Sequence, residues 1–264
     1  MVKTIITGVC GRMGSMILKL ALEDPDFTVS GVTEVEHHPN VGKCAEAVIV
    51  GAGNALIVEG SLARVIDKGD VVIDFTDPQA ALENFRLARK KGKAIVIGTT
   101  GLKDKALDEI MKVKDARVVV SPNMSVGMNL MFDVVEKLSK KMKDDYDIEI
   151  FEMHHKLKKD APSGTAVKLK DLVKKAEPER KWIEVYGRQG MLGERKKEEL
   201  GIMSLRGGDV VGEHTVMFAG VGERLEITHR AFSRENFARG ALVAARWLVK
   251  QNPGVYSMKD VLGL

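Results

Sequence analysis

Short β-branched runs and helical stripes alternate through the first half of the chain. Val2 to Thr7 and Thr28 to Thr33 read as strands, and between them Met13, Met16, Ile17, Leu20 and Ala21 fall on one helical face. The rhythm returns with strand Val71 to Phe75, a helix opened by Asp77 and Pro78, and strand Ala94 to Ile97. A helix through Leu107, Ile110 and Met111 and strand Arg117 to Val120 complete it. Such alternation predicts an α/β domain with a Rossmann-like, doubly wound parallel sheet covered by helices on both faces.

After Asn123 the pattern changes. Met131, Val134, Val135, Leu138 and Met142 mark a helical stripe, and Ile148, Ile150 and Glu152 then alternate with Glu149, Phe151 and Met153 as in a strand. Asp160, Ala161 and Pro162 stop that strand, and Ser163 is placed to cap a helix whose apolar stripe is Ala166, Leu169, Leu172, Val173 and Ala176. Gly201 to Leu205, Val211 to Phe218 and Glu223 to Thr228 read as strands, the last two as a hairpin. These features predict a C-terminal α+β domain with a four-stranded mixed sheet, open on one face. A last helix, capped by Ser233 and carrying Phe237, Ala241, Ala244, Ala245 and Leu248, is expected to pack back on the first domain. The expected division is 1–125, joined by the C-terminal helical segment 234–264, and 126–233.

Composition narrows the function classes. With 264 residues, 44% hydrophobic and 30% charged, the chain has the profile of an ordinary globular protein with room for a sizeable core. The net charge of +4 suits small anionic ligands better than a polyanion, and aromatics at 5% do not interleave with basic runs, which argues against nucleic acid. Cys10 and Cys44 are too few for a disulfide framework or a thiolate metal site, as expected of a reducing cytoplasm. MVKTIITG runs straight into a strand, unlike a signal peptide, and no apolar run approaches the roughly 20 residues of a membrane helix. The lysine clusters near Lys140, Lys174 and Lys196 read as solvated faces.

The strand ends carry the candidate chemistry. The first strand ends in Gly8-Val-Cys-Gly11-Arg-Met-Gly14, the second in Glu34, the third in Asp74-Phe-Thr76, the next in Gly98-Thr-Thr-Gly101, and the last in Ser121-Pro-Asn123. Ligands of an open parallel sheet bind outside the carboxyl ends of its strands, so these five loops are expected to converge on one ligand. The glycine loop offers backbone amides and a helix start for a pyrophosphate, and Glu34 an acceptor for ribose hydroxyls, so the ligand reads as a dinucleotide. Cys10 stands where the usual fingerprint has its second glycine.

Ile148 to Ala166, IEIFEMHHKLKKDAPSGTA, holds the second cluster. His154 and His155 fall at a strand's end and Lys158 in the loop beyond, before the amides of Gly164, Thr165 and Ala166 at a helix start. A helix start beside cations favours a carboxylate, and histidine and lysine can move a proton near neutral pH. His154, His155 and Asp160 do not read as a metal site: adjacent strand residues point to opposite faces and no HxxxH spacing is present. His214 and His229, within strands, read as hydrogen-bonded structural residues.

GVCGRMG, DFT, GTTG, SPNMSVG, HHKLKKDAPSGTA, RGGDVVGEHT and ERLEITHRAFSR, in this order from Gly8 to Trp247, resemble the dihydrodipicolinate (4-hydroxy-tetrahydrodipicolinate) reductases. The resemblance implies a cytoplasmic, homotetrameric enzyme of diaminopimelate and lysine biosynthesis that reduces a cyclic dicarboxylic imine with NADH or NADPH. Carried over by position, it makes His154 the proton donor or acceptor and Lys158 the proton donor, with His155, Gly164 and Thr165 on the substrate. Its cofactor positions are Gly8, Val9, Cys10, Gly11, Arg12, Met13, Glu34, Gly98, Thr99, Thr100, Ser121, Pro122, Asn123 and Met124. Leu157 and Lys156 stand where the family often has a histidine and an arginine. Glu34, followed by Val35, favours NADH over NADPH, whereas His37, His38 and Lys43 leave room for both. Two other functions remain open on the residues themselves: a non-catalytic dinucleotide sensor, and a reductase of another small carboxylate substrate.

Overall fold

The structure, a computed structural model, describes residues 1–264, the side chains of Asp104 and Asp144 excepted. The chain divides into two compact units, Met1–Val126 with Arg234–Leu264, and Gly127–Ser233.

In the first unit β1 (Val2–Thr7), α1 (Arg12–Glu23), β2 (Phe27–Thr33), β3 (Val58–Glu59), β4 (Val71–Asp74), α2 (Pro78–Lys90), β5 (Ala94–Ile97), α3 (Asp104–Met111) and β6 (Arg117–Val120) follow in order. The second unit contains α4 (Val126–Met142, from Gly127 onward), β7 (Asp147–His154), α5 (Gly164–Ala176), β8 (Ile183–Val185), β9 (Glu199–Arg206), β10 (Gly212–Gly220) and β11 (Glu223–Ala231). The chain returns to the first unit with α6 (Glu235–Leu248), β12 (Gly254–Tyr256) and α7 (Met258–Leu262).

The first unit is a seven-stranded parallel sheet of order β12-β6-β5-β4-β1-β2-β3. Its strands are short, buried on both faces and almost wholly apolar, as a sheet sandwiched between helices requires. Ile17, Leu18, Leu20 and Ala21 of α1 join Ala241, Ala244, Ala245 and Leu248 of α6 in one core cluster, while Phe85 and Ala88 of α2 and Ile110 of α3 belong to the other. Asp77 caps α2 by accepting from Gln79 and Ala80 amides, with Pro78 at the first helical position. Chain reversal occurs between β1 and β4, and the order around that point is the one in which dinucleotides bind at the strands' carboxyl ends.

The second unit is a mixed sheet of order β11-β10-β7-β9-β8. Its core face carries Ile148 and Ile150 of β7, Leu200 and Ile202 of β9, and Val216 and Phe218 of β10, covered by Met128, Met131, Phe132 and Val135 of α4 and Ala166, Leu169 and Val173 of α5. Fully burying each of these side chains, except the smaller Ala166, contributes about 1.5–3 kcal/mol. The opposite face stays open along β11, whose burial pattern is mostly exposed.

The structure corrects two expectations and adds two edge strands to the first sheet. The second unit's sheet has five strands rather than four, because β8 is a three-residue edge strand, half exposed and interrupted by Glu184, too short to show a period. In the first unit β3 and β12 are two and three residues long and escape the pattern for the same reason. The last helix starts one residue later than expected, with Arg234 at the cap position and no side-chain capping bond.

Candidate active site

At the carboxyl edge of the parallel sheet, Gly8 turns the chain out of β1 with φ +63°, a left-handed conformation that glycine adopts without penalty. The turn closes through the Gly11 amide onto Gly8 O at 3.0 Å, and α1 then begins with Gly11, which offers no side-chain cap. A helix start left without a side-chain cap and packed against bare backbone is a place for an anion. Gly14 makes that packing possible: a Cβ there would stand 2.1 Å from Gly8 O. Glu34, past the end of β2, accepts the Cys10 amide through Oε2 and the Val35 amide through Oε1, both at 2.9 Å, and so is tied to the glycine loop. A cavity of about 690 Å³ lies over these groups, lined by Gly8, Cys10, Gly11 and Glu34 together with Phe75 and Thr76.

An adjoining cavity of about 270 Å³, also lined by Phe75 and Thr76, takes Arg12, Met13, Gly98, Thr99, Thr100, Pro122 and Met124. The two together bring in the ends of β1, β2, β4, β5 and β6. Val9 is fully buried in the core with its amide on Thr33 O at 3.0 Å, and it lines neither cavity. Ser121 and Asn123 shape the last loop instead: Ser121 Oγ donates to Asn123 O at 2.8 Å, and Asn123 Oδ1 accepts the Ser125 amide at 3.0 Å. Gly240 of α6 lets that loop sit tight, since a Cβ there would be 1.7 Å from Met124 O. Beneath the loops the buried Asp74 carboxylate accepts from Thr7, Thr76, Thr99 and Asn84 hydroxyls and amide at 2.7–2.9 Å, joining the ends of β1, β4 and β5. The cradle fits a pyrophosphate at the α1 start and a ribose at Glu34.

In the second unit, the inward phase of β7 runs Ile148, Ile150, Glu152, His154, so its last two positions carry polar groups into the end of the core face. Register sets Arg206 opposite His154 on β9 and His214 opposite Glu152 on β10. Glu152 is buried, and its Oε2 lies 2.6 Å from His154 Nδ1; Arg206 grips both its oxygens at 2.8 Å, and Oε1 also accepts the Ser163 amide at 3.1 Å. Burial pushes the Glu152 carboxyl up, but Arg206, Ser204 and His154 outweigh it and hold the pKa at about 2. His154 is lowered, by burial first and by the Lys158 and Arg206 charges, against the opposing pull of Glu152. His214 is brought down to about 3, by burial first and then by His154, so it is neutral; its Nε2 lies 2.9 Å from Ser163 Oγ and its ring meets His154 edge-on at 5.1 Å.

Ser163 caps α5, its Oγ accepting the Ala166 amide at 3.2 Å, so Gly164 and Thr165 form the first turn beside this cluster. Lys158 donates to Asp160 at 2.8 Å, with Asp160 held low chiefly by that bond, and its charge is felt at both His154 and His214. His155 lies just past β7 with its amide on Val210 O at 2.8 Å, while its buried Nδ1 has no hydrogen-bond partner among the described residues. The sequence reading gives Glu152 and Arg206 no role at the site, although a carboxylate in phase with Ile148 and Ile150 is the available signal. Among the described residues no group of histidine, cysteine and carboxylate could hold a metal, and no helix is long and apolar enough to cross a membrane.

A glycine cradle at the switch point of a parallel sheet, joined in one chain to an acid–base cluster of histidine and lysine, defines an oxidoreductase that uses a nicotinamide dinucleotide. The models of the two dihydrodipicolinate reductase domains match residues 2–124 and 127–262. The 4-hydroxy-tetrahydrodipicolinate reductases of Syntrophus aciditrophicus and Syntrophobacter fumaroxidans are 46% and 48% identical to it, over 100% of this chain and 99% and 100% of theirs. The solved dipicolinate-bound dihydrodipicolinate reductase of Paenisporosarcina sp. TG-14 is similar in structure, with a TM-score of 0.79 at 25% identity over 99% of this chain and 100% of that one. The chain belongs to the dihydrodipicolinate reductase family. An amine dehydrogenase from Mycobacterium smegmatis shares the fold alone, with a TM-score of 0.64 at 11% identity over 97% of this chain and 95% of that one.

Proposed function

We propose that the protein reduces 4-hydroxy-tetrahydrodipicolinate, or the cyclic imine derived from it, to tetrahydrodipicolinate in diaminopimelate and lysine biosynthesis. The observation that carries the reading is the meeting of His154 and the Lys158 charge with the capped start of α5, to which His154 is tied through Glu152 and Ser163. A planar dicarboxylate needs such a set of cations, amides and a proton source, and the Paenisporosarcina relative was solved with dipicolinate bound.

When bound, a reduced nicotinamide supplies the hydride. The chain's own residues do the rest. Gly8, Cys10, Gly11, Arg12 and Met13 hold the pyrophosphate, Glu34 the ribose, and Gly98 to Thr100 with Ser121 to Met124 the remainder. Gly164 and Thr165 take a substrate carboxylate at the helix start, and His155 orients the ring. Lys158 is the proton donor, exchanging its bond with Asp160 for one with the substrate, and His154 is the proton donor or acceptor beside it. NADH is preferred over NADPH because Glu34 is acidic and Val35 offers no guanidinium to a 2′-phosphate. We place the enzyme in the cytoplasm as a homotetramer, a state that light scattering on the purified protein measures directly.

The test is NADH oxidation by the purified protein given the freshly condensed product of pyruvate and aspartate semialdehyde. Rapid substrate-dependent loss of reduced-nicotinamide absorbance supports the reductase. Lys158→Ala and His154→Ala should then cost about 10²- to 10⁴-fold in kcat with cofactor binding retained. No oxidation with either cofactor, despite demonstrated binding, favours a dinucleotide sensor or another carboxylate substrate.

A further inference from the structure

Glu152 is a buried anion with nothing to spare. Its Oε2 is shared by His154 Nδ1 and Arg206 Nη1 and its Oε1 by Arg206 Nη2 and the Ser163 amide, at 2.6, 2.8, 2.8 and 3.1 Å. Arg206 is equally committed, donating also to Asp160 O at 2.7 Å and Leu205 O at 2.6 Å. Glu152 has no lone pair left for substrate, and Arg206 spends both Nη atoms on holding it and the adjoining backbone. A buried carboxylate is tolerated only when paired in this way, and a cluster so completely satisfied is rigid.

An ionised carboxylate accepts and cannot donate, so the hydrogen between Glu152 and His154 resides on Nδ1 of the imidazole. The second nitrogen, Nε2, is then the atom free to take or give a proton. Its surroundings keep it clear: Gly212 lies beside it, and a Cβ there would come within 3.0 Å of Nε2. The same carboxylate holds the Ser163 amide, the cap residue of α5, so ring and helix start are fixed to one anchor.

We infer that Glu152 is a positioning residue that sets His154 in its Nδ1–H form with Nε2 as the proton-transferring atom, and that Arg206 is the counter-ion keeping Glu152 charged. The part played by Nε2 rests on the proposed reductase activity; the tautomer does not. Glu152 also opposes the lowering of the His154 pKa by burial and by Lys158 and Arg206. Removing its charge therefore leaves less imidazolium at neutral pH.

Histidine NMR reads the tautomer, and turnover of two variants reads its consequence. In protein labelled with ¹⁵N-histidine, the His154 signals are identified by their loss in His154→Gln. At a pH where the ring is neutral they should show protonated Nδ1 and bare Nε2; protonated Nε2 overturns the inference whether or not the enzyme turns over. In turnover, Glu152→Gln should lose roughly tenfold to a hundredfold in kcat, with the cofactor KM unchanged and the alkaline limb of the kcat profile moved to lower pH. A fall in melting temperature with an unmoved limb in the folded fraction overturns the positioning role. Gly212→Ala tests the same atom with the ion cluster intact: its methyl should cut kcat while leaving cofactor affinity and the His154 tautomer unchanged, and full activity in this variant overturns the role of Nε2.

Discussion

Ser163 Oγ lies 2.9 Å from His214 Nε2 and at the same time accepts the Ala166 amide at 3.2 Å, so one hydroxyl both caps a helix and partners a buried imidazole. Substituting Ser163 therefore acts in two places. In Ser163→Ala the loss of the cap alone costs about 1 kcal/mol, and the ring left without its partner adds to that. We expect a lower urea midpoint with an unchanged slope, and a substrate KM raised severalfold because the first turn of α5 loosens. The KM for NADH should not move, since Ser163 belongs to the other unit.

Acid should weaken the second unit in two stages. His214 has its pKa at about 3 in the folded chain against 6.5 ordinarily, chiefly because burial disfavours the imidazolium. Its contribution to stability is thus complete above 6.5 and is lost as pH falls toward 3. Glu152, at about 2 against 4.5, adds a second loss below 4.5. Each is on the order of a few kcal/mol by proton linkage. Unfolding free energy measured from pH 7.5 to 3.5 should fall from about the histidine value downward, and His214→Gln, whose amide reaches the Nε2 position, should flatten the slope between 6.5 and 4.5. A slope unchanged by that variant would show that His214 is not the group responsible.

The parallel sheet was legible because its strands are continuous apolar runs separated by helical stripes, and β1, β5 and β6 have the bounds that the pattern predicts. Edge strands were not: β3, β8 and β12 are two or three residues long, below the length at which any period can be read. At the sites the limit was of another kind. His154, Lys158 and Ser163 lie within ten residues of one another and announce themselves together. Arg206 and His214 reach Glu152 only through strand register, a long-range fact that local spacing does not encode. Glu152 was visible as a carboxylate in an apolar phase, the kind of local inconsistency that marks functional positions.

The approach of α1 to the glycine loop leaves no room for a side chain at Gly14, where a Cβ would stand 2.1 Å from Gly8 O and 2.7 Å from Gly8 C. Both are backbone atoms that cannot swing aside. Gly14→Ala must move the helix start away from the loop, and overpacking of this sort costs about 1–3 kcal/mol. Because the displaced atoms are those proposed to hold the pyrophosphate, calorimetric titration with NADH should show affinity reduced by roughly tenfold or more, each tenfold being about 1.4 kcal/mol. Undiminished affinity would mean that the cradle is not where the dinucleotide binds.

In the proposed reading, cofactor choice turns on Glu34, a carboxylate whose two oxygens are already anchored. Glu34 accepts the Cys10 amide on one oxygen and the Val35 amide on the other, each at 2.9 Å, so it cannot rotate away from an incoming 2′-phosphate. Each oxygen still has a lone pair for a ribose hydroxyl, and Glu36, lining the same cavity, adds a second acidic side chain. A fixed anion of this kind penalises NADPH by charge and rewards NADH by a charge-assisted hydrogen bond worth about 1.5 kcal/mol. Glu34→Gln keeps an acceptor but removes the charge, so kcat/KM for NADH should fall roughly tenfold while that for NADPH rises. Parallel falls for both cofactors would instead assign Glu34 to holding the loop through Cys10, with the selection made elsewhere along the cavity.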